Sequence, residues 1–293
     1  MHVAAREIMA DDAGKQSDWW GLHVEALEDS VSVSMSAMST MAAADYPELE
    51  YSVDEGEIWS PFVVKSTTVS LAHAGDRMLV RAGSSGNTCT AVSASACCYF
   101  VFTGEASVGG NLLSLLSQSP ITELPSGTPN YVFARLFSFV GSSGQVSLVD
   151  ASALVLSSAA LTPYCYYEMF SGDDLLVGAP ELPALALASN CYQRMFYQCR
   201  ALMTAPALPA ATLQPYCYYS MFDGCWSLTT APELPARSLA TYCYSYMFST
   251  CTALASAPDL PATTLASYCY QYMFQSCSHL VDAPVISATR AAT

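Results

Sequence analysis

The residues with the chemistry to react or to bind metal are cysteines, four histidines and a few acidic pairs. Twelve cysteines occur in 293 residues. Five of them, Cys165, Cys191, Cys217, Cys243 and Cys269, stand 26 residues apart, and Cys199, Cys225, Cys251 and Cys277 keep the same step, each eight residues further on. Zinc sites place paired ligands two to four residues apart and need a second knuckle. An eight-residue step repeated down an array makes a ladder of thiols and no tetrahedron. Disulfides between neighbouring units fit the roughly 4.8 Å spacing of adjacent strands, but five cysteines in one column cannot all pair. Secreted disulfide frameworks are also small and irregularly spaced. The thiols read best as small buried hydrophobes.

The remaining reactive types assemble nothing. His2, His23, His73 and His279 share no local motif with a nucleophile. No Ser/His/Asp signature, P-loop or dinucleotide fingerprint is present. Asp11-Asp12 and Asp173-Asp174 supply too few oxygens for a calcium loop and read as solvated acidic turns. The expectation is a non-enzymatic chain without metal or cofactor. Ser52-Val-Asp-Glu-Gly-Glu-Ile-Trp59 matches S-x-D-x-G-x-x-W, a hairpin in which the aspartate caps the turn, glycine takes the left-handed position and tryptophan packs beneath. It resembles the Asp-box hairpins of sialidase-type propellers. A propeller needs several blades, which about a hundred residues cannot supply, so the motif reads as a turn and a glycan-active enzyme is the most distant reading.

The element that positions the cysteines is a 26-residue repeat, Y-C-Y-x-x-M-F-x-x-C-x-x-L-x-x-A-P-x-L-P-A-x-x-L-x-x. Met169, Met195, Met221, Met247 and Met273 keep its step, as do Pro180, Pro206, Pro232, Pro258 and Pro284. Such a period means stacked units that bury their apolar faces against one another. Five units fill 164–293. A degenerate unit, Tyr131 to Phe137, precedes them at a spacing of 33 and reads as a cap over 126–163. Leu213, Cys217 and Met221 step by four, which predicts one face of a short helix, stopped at Asp223-Gly224. Leu228 to Pro232 predicts a short strand, and Pro232 to Pro235 a return turn. The predicted fold is therefore a β-rich, sandwich-like N-terminal domain followed by an α/β leucine-rich-repeat solenoid, with one strand and one helical segment per unit.

The M-F-x-x-C-x-x-L core followed by A-P-x-L-P resembles the BspA-like (Treponema-type) leucine-rich repeat. The phrase from Leu260 to Leu280 is close to a variant found in proteins of gut bacteria and their phages. The resemblance covers about 130–293. It implies surface adhesins, host-contact proteins or phage structural and tail-associated proteins, with no catalytic residue in the repeats.

Positions that differ between units are expected to be exposed and to carry recognition. One set is Tyr167, Gln193, Tyr219, Ser245 and Gln271. The next is Glu168, Arg194, Ser220, Tyr246 and Tyr272. On the strand side, Met203-Thr204, Thr229-Thr230, Ala255-Ser256 and Val281-Asp282 vary likewise. Tyrosine and small polar groups suit protein or glycan contact.

Over 18–125, short alternating runs predict strands at His23–Leu27, Ser30–Met35, Thr67–Leu71, Arg77–Arg81 and Cys97–Thr103, with Thr67–Leu71 and Arg77–Arg81 paired through the turn at His73–Asp76. Leu112 to Gln118 predicts a short helix or lid. Residues 1–17 read as an arm leading into Trp19-Trp20, a candidate docking pair. Hydrophobic residues make up 52% and charged ones 12%, and the net charge is −15 with only Lys15 and Lys65 as lysines. That balance repels phosphate backbones and excludes nucleic acid as a partner. No apolar run is long enough to be a signal peptide or to cross a membrane, so cytosolic synthesis or a lost leader is expected. The expected role is a phage virion or tail-associated component, with a bacterial surface adhesin as the alternative. Expected partners are other virion or surface proteins and a host glycan or receptor. The last unit ends on Val285-Ile-Ser-Ala without a polar cap, which predicts a covered end and an oligomer or larger complex.

Overall fold

Alternation of apolar and polar residues with period two builds the N-terminal half. In β2 (Val31–Ala37) every second residue is buried, and β1 (Leu22–Ala26) alternates in the same way. The computed structural model of the chain describes residues 21–84, 90–138 and 148–288. The arm, with Trp19, Trp20, His2 and Asp11-Asp12, lies outside them. Further strands are β3 (Leu49–Ser52), β4 (Ser60–Phe62), β5 (Thr68–Leu71), β6 (Arg77–Ala82), β7 (Ala91–Ser93), β8 (Ala96–Phe102), β9 (Ala106–Asn111) and β10 (Leu148–Val155). They form a six-stranded sheet, β10-β9-β1-β6-β3-β4, and a four-stranded sheet, β5-β2-β8-β7. Side chains of both enter one apolar core.

The expected pairing of Thr67–Leu71 with Arg77–Arg81 does not form. β5 pairs with β2 (Val69 opposite Val33), while β6 pairs with β1 (Met78 opposite Val24) and β3. The His73–Asp76 turn therefore crosses from one sheet to the other. Leu112–Leu115 is a buried 3-10 turn whose cap, Asn111, accepts from the Leu113 N–H. The Asp-box segment is a turn. Ser52 Oγ takes the Gly56 N–H at 2.9 Å, Asp54 takes the Ile58 N–H at 3.0 Å, and the Trp59 ring N–H donates to Gly56 O at 2.9 Å. Gly56 sits at φ +92°. Arg81 stacks on Trp59 and pairs with Glu50 at 2.8 Å.

The repeat half corrects the expected fold. No α-helix exists among the described residues, and the α/β leucine-rich-repeat solenoid with a helical segment per unit is not what forms. From Tyr216 to Cys225 the backbone runs as consecutive turns. Alternate N–H groups bond locally: Tyr219 to Tyr216 O, Met221 to Tyr218 O, Asp223 to Ser220 O. The intervening ones reach the next unit: Tyr218 to Cys243 O, Ser220 to Ser245 O, Phe222 to Met247 O, Gly224 to Ser249 O. An α-helix closes its bonds on itself, four residues back, and leaves none for a neighbour. Every fourth residue here is left-handed: Tyr216 (φ 59°), Ser220 (50°) and Gly224 (81°). The strand side is reduced to single parallel bridges, Thr204 to Thr230, Thr230 to Ser256 and Ser256 to Asp282.

The two halves are continuous. β10, inside the segment expected to be a cap, pairs parallel with β9 and forms the edge of the six-stranded sheet. Its Asp150 then bridges to Gly178 of the first full unit. A Cβ on Gly178 would collide with the Asp150 carboxylate, so the glycine permits this contact. No helix among the described residues is long and apolar enough to cross a membrane.

Candidate recognition surface

The first four full units bury their first cysteine, second tyrosine, methionine, phenylalanine and frame leucines, Leu265 excepted; in the last unit Tyr270, Phe274 and Leu280 are half-buried, and what remains outside defines the surface. The buried rings stack through the array. Tyr166, Tyr192, Tyr218 and Tyr244 follow one another at 5.6–5.9 Å, and Phe170, Phe196, Phe222 and Phe248 at 5.5–5.7 Å. This fixed frame sets the spacing of every exposed column.

Several residues expected at the surface lie inside it. Tyr167, Glu168, Ser220 and Ser245 are buried. Ser245 Oγ donates to Gln271 O at 3.1 Å. Glu168 is the centre of an ion triad, bound by Arg135 at 2.6 Å and Arg194 at 3.3 Å. Arg135 also faces the Tyr167 ring, and Arg194 those of Tyr197 and Tyr219. Burial first, and the neighbouring Glu168 second, push the Tyr167 phenol up to about 12. Glu168, Arg194, Ser220, Tyr246 and Tyr272 are the middle left-handed residues of their turn runs, and Arg135 is left-handed in the degenerate unit before them. In that column Glu168 and Ser220 are buried, Arg194 and Tyr246 are half-buried, and Tyr272, at the far end, is exposed.

The rest are accessible. Gln193, Arg194, Tyr219, Tyr246 and Gln271 are half-buried, and Tyr272 is exposed. Tyr219, Tyr246 and Tyr272 adjoin at 5.8 and 5.0 Å. Beside them Tyr216, Tyr242 and Tyr268 stack at 4.8 and 4.7 Å. On the strand side Met203, Thr229, Thr230 and Ser256 are all exposed; Thr230 and Ser256 lie in the bridge ladder, and Met203 and Thr229 each precede one of its residues. Trp226, about half exposed, was not singled out from the sequence; it stacks on Arg200, which pairs with Asp174 at 2.9 Å. Its column, Asp174-Arg200-Trp226-Thr252, varies between units like the others, so the same reasoning would have found it.

The groups with reactive potential are put to packing. The eleven described cysteines carry no disulfide. Cys199, Cys225, Cys251 and Cys277 donate S–H to Phe170, Phe196, Phe222 and Phe248 carbonyls at 3.0–3.1 Å. Burial pushes the Cys97 thiol up to about 11 and Cys165 up to about 12, which suppresses thiolate chemistry. Burial, then the nearby Arg77, lowers His23 to about 4. Asp173 and Asp174 separate: Asp174 meets Arg200 at the surface, while Asp173 is buried with both carboxylate oxygens unpartnered. Among the described residues no three His, Cys, Asp or Glu side chains come together as a metal site. Comparison with family models, curated proteins and solved structures finds no match to this chain.

Proposed function

We propose that this chain is a non-enzymatic recognition or structural protein of a larger assembly, most consistent with a phage virion or tail-associated component. The observation that carries the reading is the repeat stack, in which a constant buried frame presents columns of changing side chains at fixed spacing. Surfaces of that kind serve extended protein or glycan contact. The resemblance of M-F-x-x-C-x-x-L and A-P-x-L-P to BspA-like repeats supports the same class of role. A bacterial surface adhesin is the second reading, favoured by the same resemblance.

Fractionation of the producing culture tests both. Peptides of this chain are expected in density-banded particles, at a fixed ratio to the major capsid protein. Recovery in the bacterial envelope supports the adhesin, and recovery in the soluble fraction alone sinks both readings.

A further inference from the structure

The A-P-x-L-P segments of successive units form one corner of the stack. Open grooves lie between neighbouring corners. The first, about 530 Å³, is lined by Ser152, Pro180, Pro183, Pro206 and Pro209 among others. The next two, about 490 and 370 Å³, follow along the same corner, walled by Pro209, Pro232, Pro235, Pro258 and Pro261. Their floors are alanine, leucine and proline rings. Between the prolines stand Glu181, Ala207, Glu233 and Asp259, all exposed.

The three carboxylates are unspent. Glu25, Glu50, Glu168 and Asp174 each meet an arginine. Glu181, Glu233 and Asp259 have no ion pair or hydrogen-bond partner among the described residues, and no Lys, Arg or His lines the three grooves. We infer that this corner is a docking trough for an extended, cationic peptide segment of a partner protein, with aromatic side chains seated between the proline rows. The inference rests on the recognition reading of the stack and adds the chemistry of what it recognises.

Geometry sets the spacing of that segment. Rings of successive units stand 5.5–5.9 Å apart, which places Glu181 and Glu233, two units apart, about 11 Å from each other, a gap that long Lys or Arg side chains bridge. Three residues of polyproline-II backbone span about 9 Å. A segment with Lys or Arg at every third position therefore meets both carboxylates and leaves an intervening aromatic residue over a groove. Charge complementarity selects such a segment over acidic ones and steers its approach. A nucleic acid is repelled by the same carboxylates.

The test is fluorescence anisotropy with the full chain and a labelled peptide of four Lys-Pro-Trp repeats, at about 0.15 M salt. Two comparison peptides replace Lys by Glu, or Trp by Ser. Binding of the Lys-Pro-Trp peptide is expected to weaken about tenfold in Glu181→Lys/Glu233→Lys/Asp259→Lys, and to change less than about twofold in Glu55→Lys/Glu57→Lys/Glu123→Lys, which alters net charge equally. Ala207→Trp, which fills the first groove, is expected to weaken it about fivefold with an unchanged melting temperature. A benzophenone-bearing peptide should crosslink within 179–183, 205–209 or 231–235. No binding, equal loss in both triple variants, equal affinity of the Ser peptide, or crosslinks on Tyr242 and Tyr246 would each overturn the inference. So would self-association of the chain that shields Pro209 and Pro235, which assigns the trough to a second copy. The particle fractionation can succeed or fail independently of these outcomes.

Discussion

Asp173 holds the position that Cys199, Cys225, Cys251 and Cys277 occupy in later units. It is fully buried and its oxygens lack partners, so burial pushes its carboxyl well above the usual carboxylate range. The folded state then binds this proton more tightly than the unfolded chain, whose carboxyl titrates near 3.8. Its contribution is fully present below about pH 4 and is lost as pH rises through the raised, folded-state pKa. Asp173→Cys restores the residue of the other units. It is expected to raise unfolding free energy at pH 8 by about 1–3 kcal/mol and to flatten the pH dependence. Urea melts at pH 4 and pH 8 measure both, and a variant no more stable than the parent at pH 8 would refute the account. Glu168 is the opposite case. It looked like a surface residue because it varies between units, yet it neutralises two arginines. Glu168→Ala should cost about 3 kcal/mol by stranding Arg135 and Arg194, whereas a true surface residue would change stability little. Chemical denaturation at pH 7 separates the two.

At the scale of the element, the repeat was legible and its conformation was not. Leu213, Cys217 and Met221 are all buried, as a helical face requires. A run of four-residue turns also recurs every four residues, and three positions cannot distinguish that from a period of 3.6. What decides between them is the hydrogen bonding of alternate N–H groups to the next unit, a property of the stack that no single unit carries. Glycine was the available clue. Gly172 and Gly224 take the left-handed place that Gln198, Thr250 and Ser276 take in other units, and Asp223-Gly224 read as a helix stop for the same conformational reason. Pairing across sheets was hidden likewise, since the turn between β5 and β6 looks the same in a hairpin or a crossover. Among the surface columns, variation located the strand-side set correctly and misplaced Tyr167, Glu168, Ser220 and Ser245, because inward residues also vary where neighbours compensate. The turn-run geometry makes two opposite predictions. Gly224→Ala introduces a Cβ at φ +81°, 3.0 Å from Gln198 Cγ, and should destabilise by about 1–2 kcal/mol. Ser276→Gly relieves an exposed residue at φ 61° and should stabilise by about 0.5–1 kcal/mol. Thermal melts of the two variants must move in opposite directions; a helix in this segment would make Ser276→Gly destabilising.

Across the whole molecule, one column of rings ties the two halves. Phe62 stacks on Phe100 at 6.1 Å, Phe100 on Phe137 at 5.4 Å and Phe137 on Phe170 at 5.6 Å, and the column continues through Phe196, Phe222 and Phe248 to Phe274. Phe100 belongs to β8 of the N-terminal sheets, so the repeat array starts from their core. The Phe100 N–H also donates to Leu136 O at 2.8 Å, and β10 carries the sheet toward the first full unit. Arrays of stacked units lose cooperativity with distance from a perturbation, because each unit contacts only its neighbours. Position in the column therefore sets how far a defect spreads. Phe137→Ala removes a ring at the junction and should destabilise by about 3–5 kcal/mol. Hydrogen exchange should then quicken on both sides, in β8 and in the turn runs beginning at Tyr164 and Asn190. Phe248→Ala removes a ring of the same size near the far end, and its faster exchange should be confined to units from about Tyr216 onward, with β1, β2 and β8 unchanged. Were Phe137→Ala to loosen only the repeats, the N-terminal sheets would stand as an independent folding unit and the shared column would be contact without coupling.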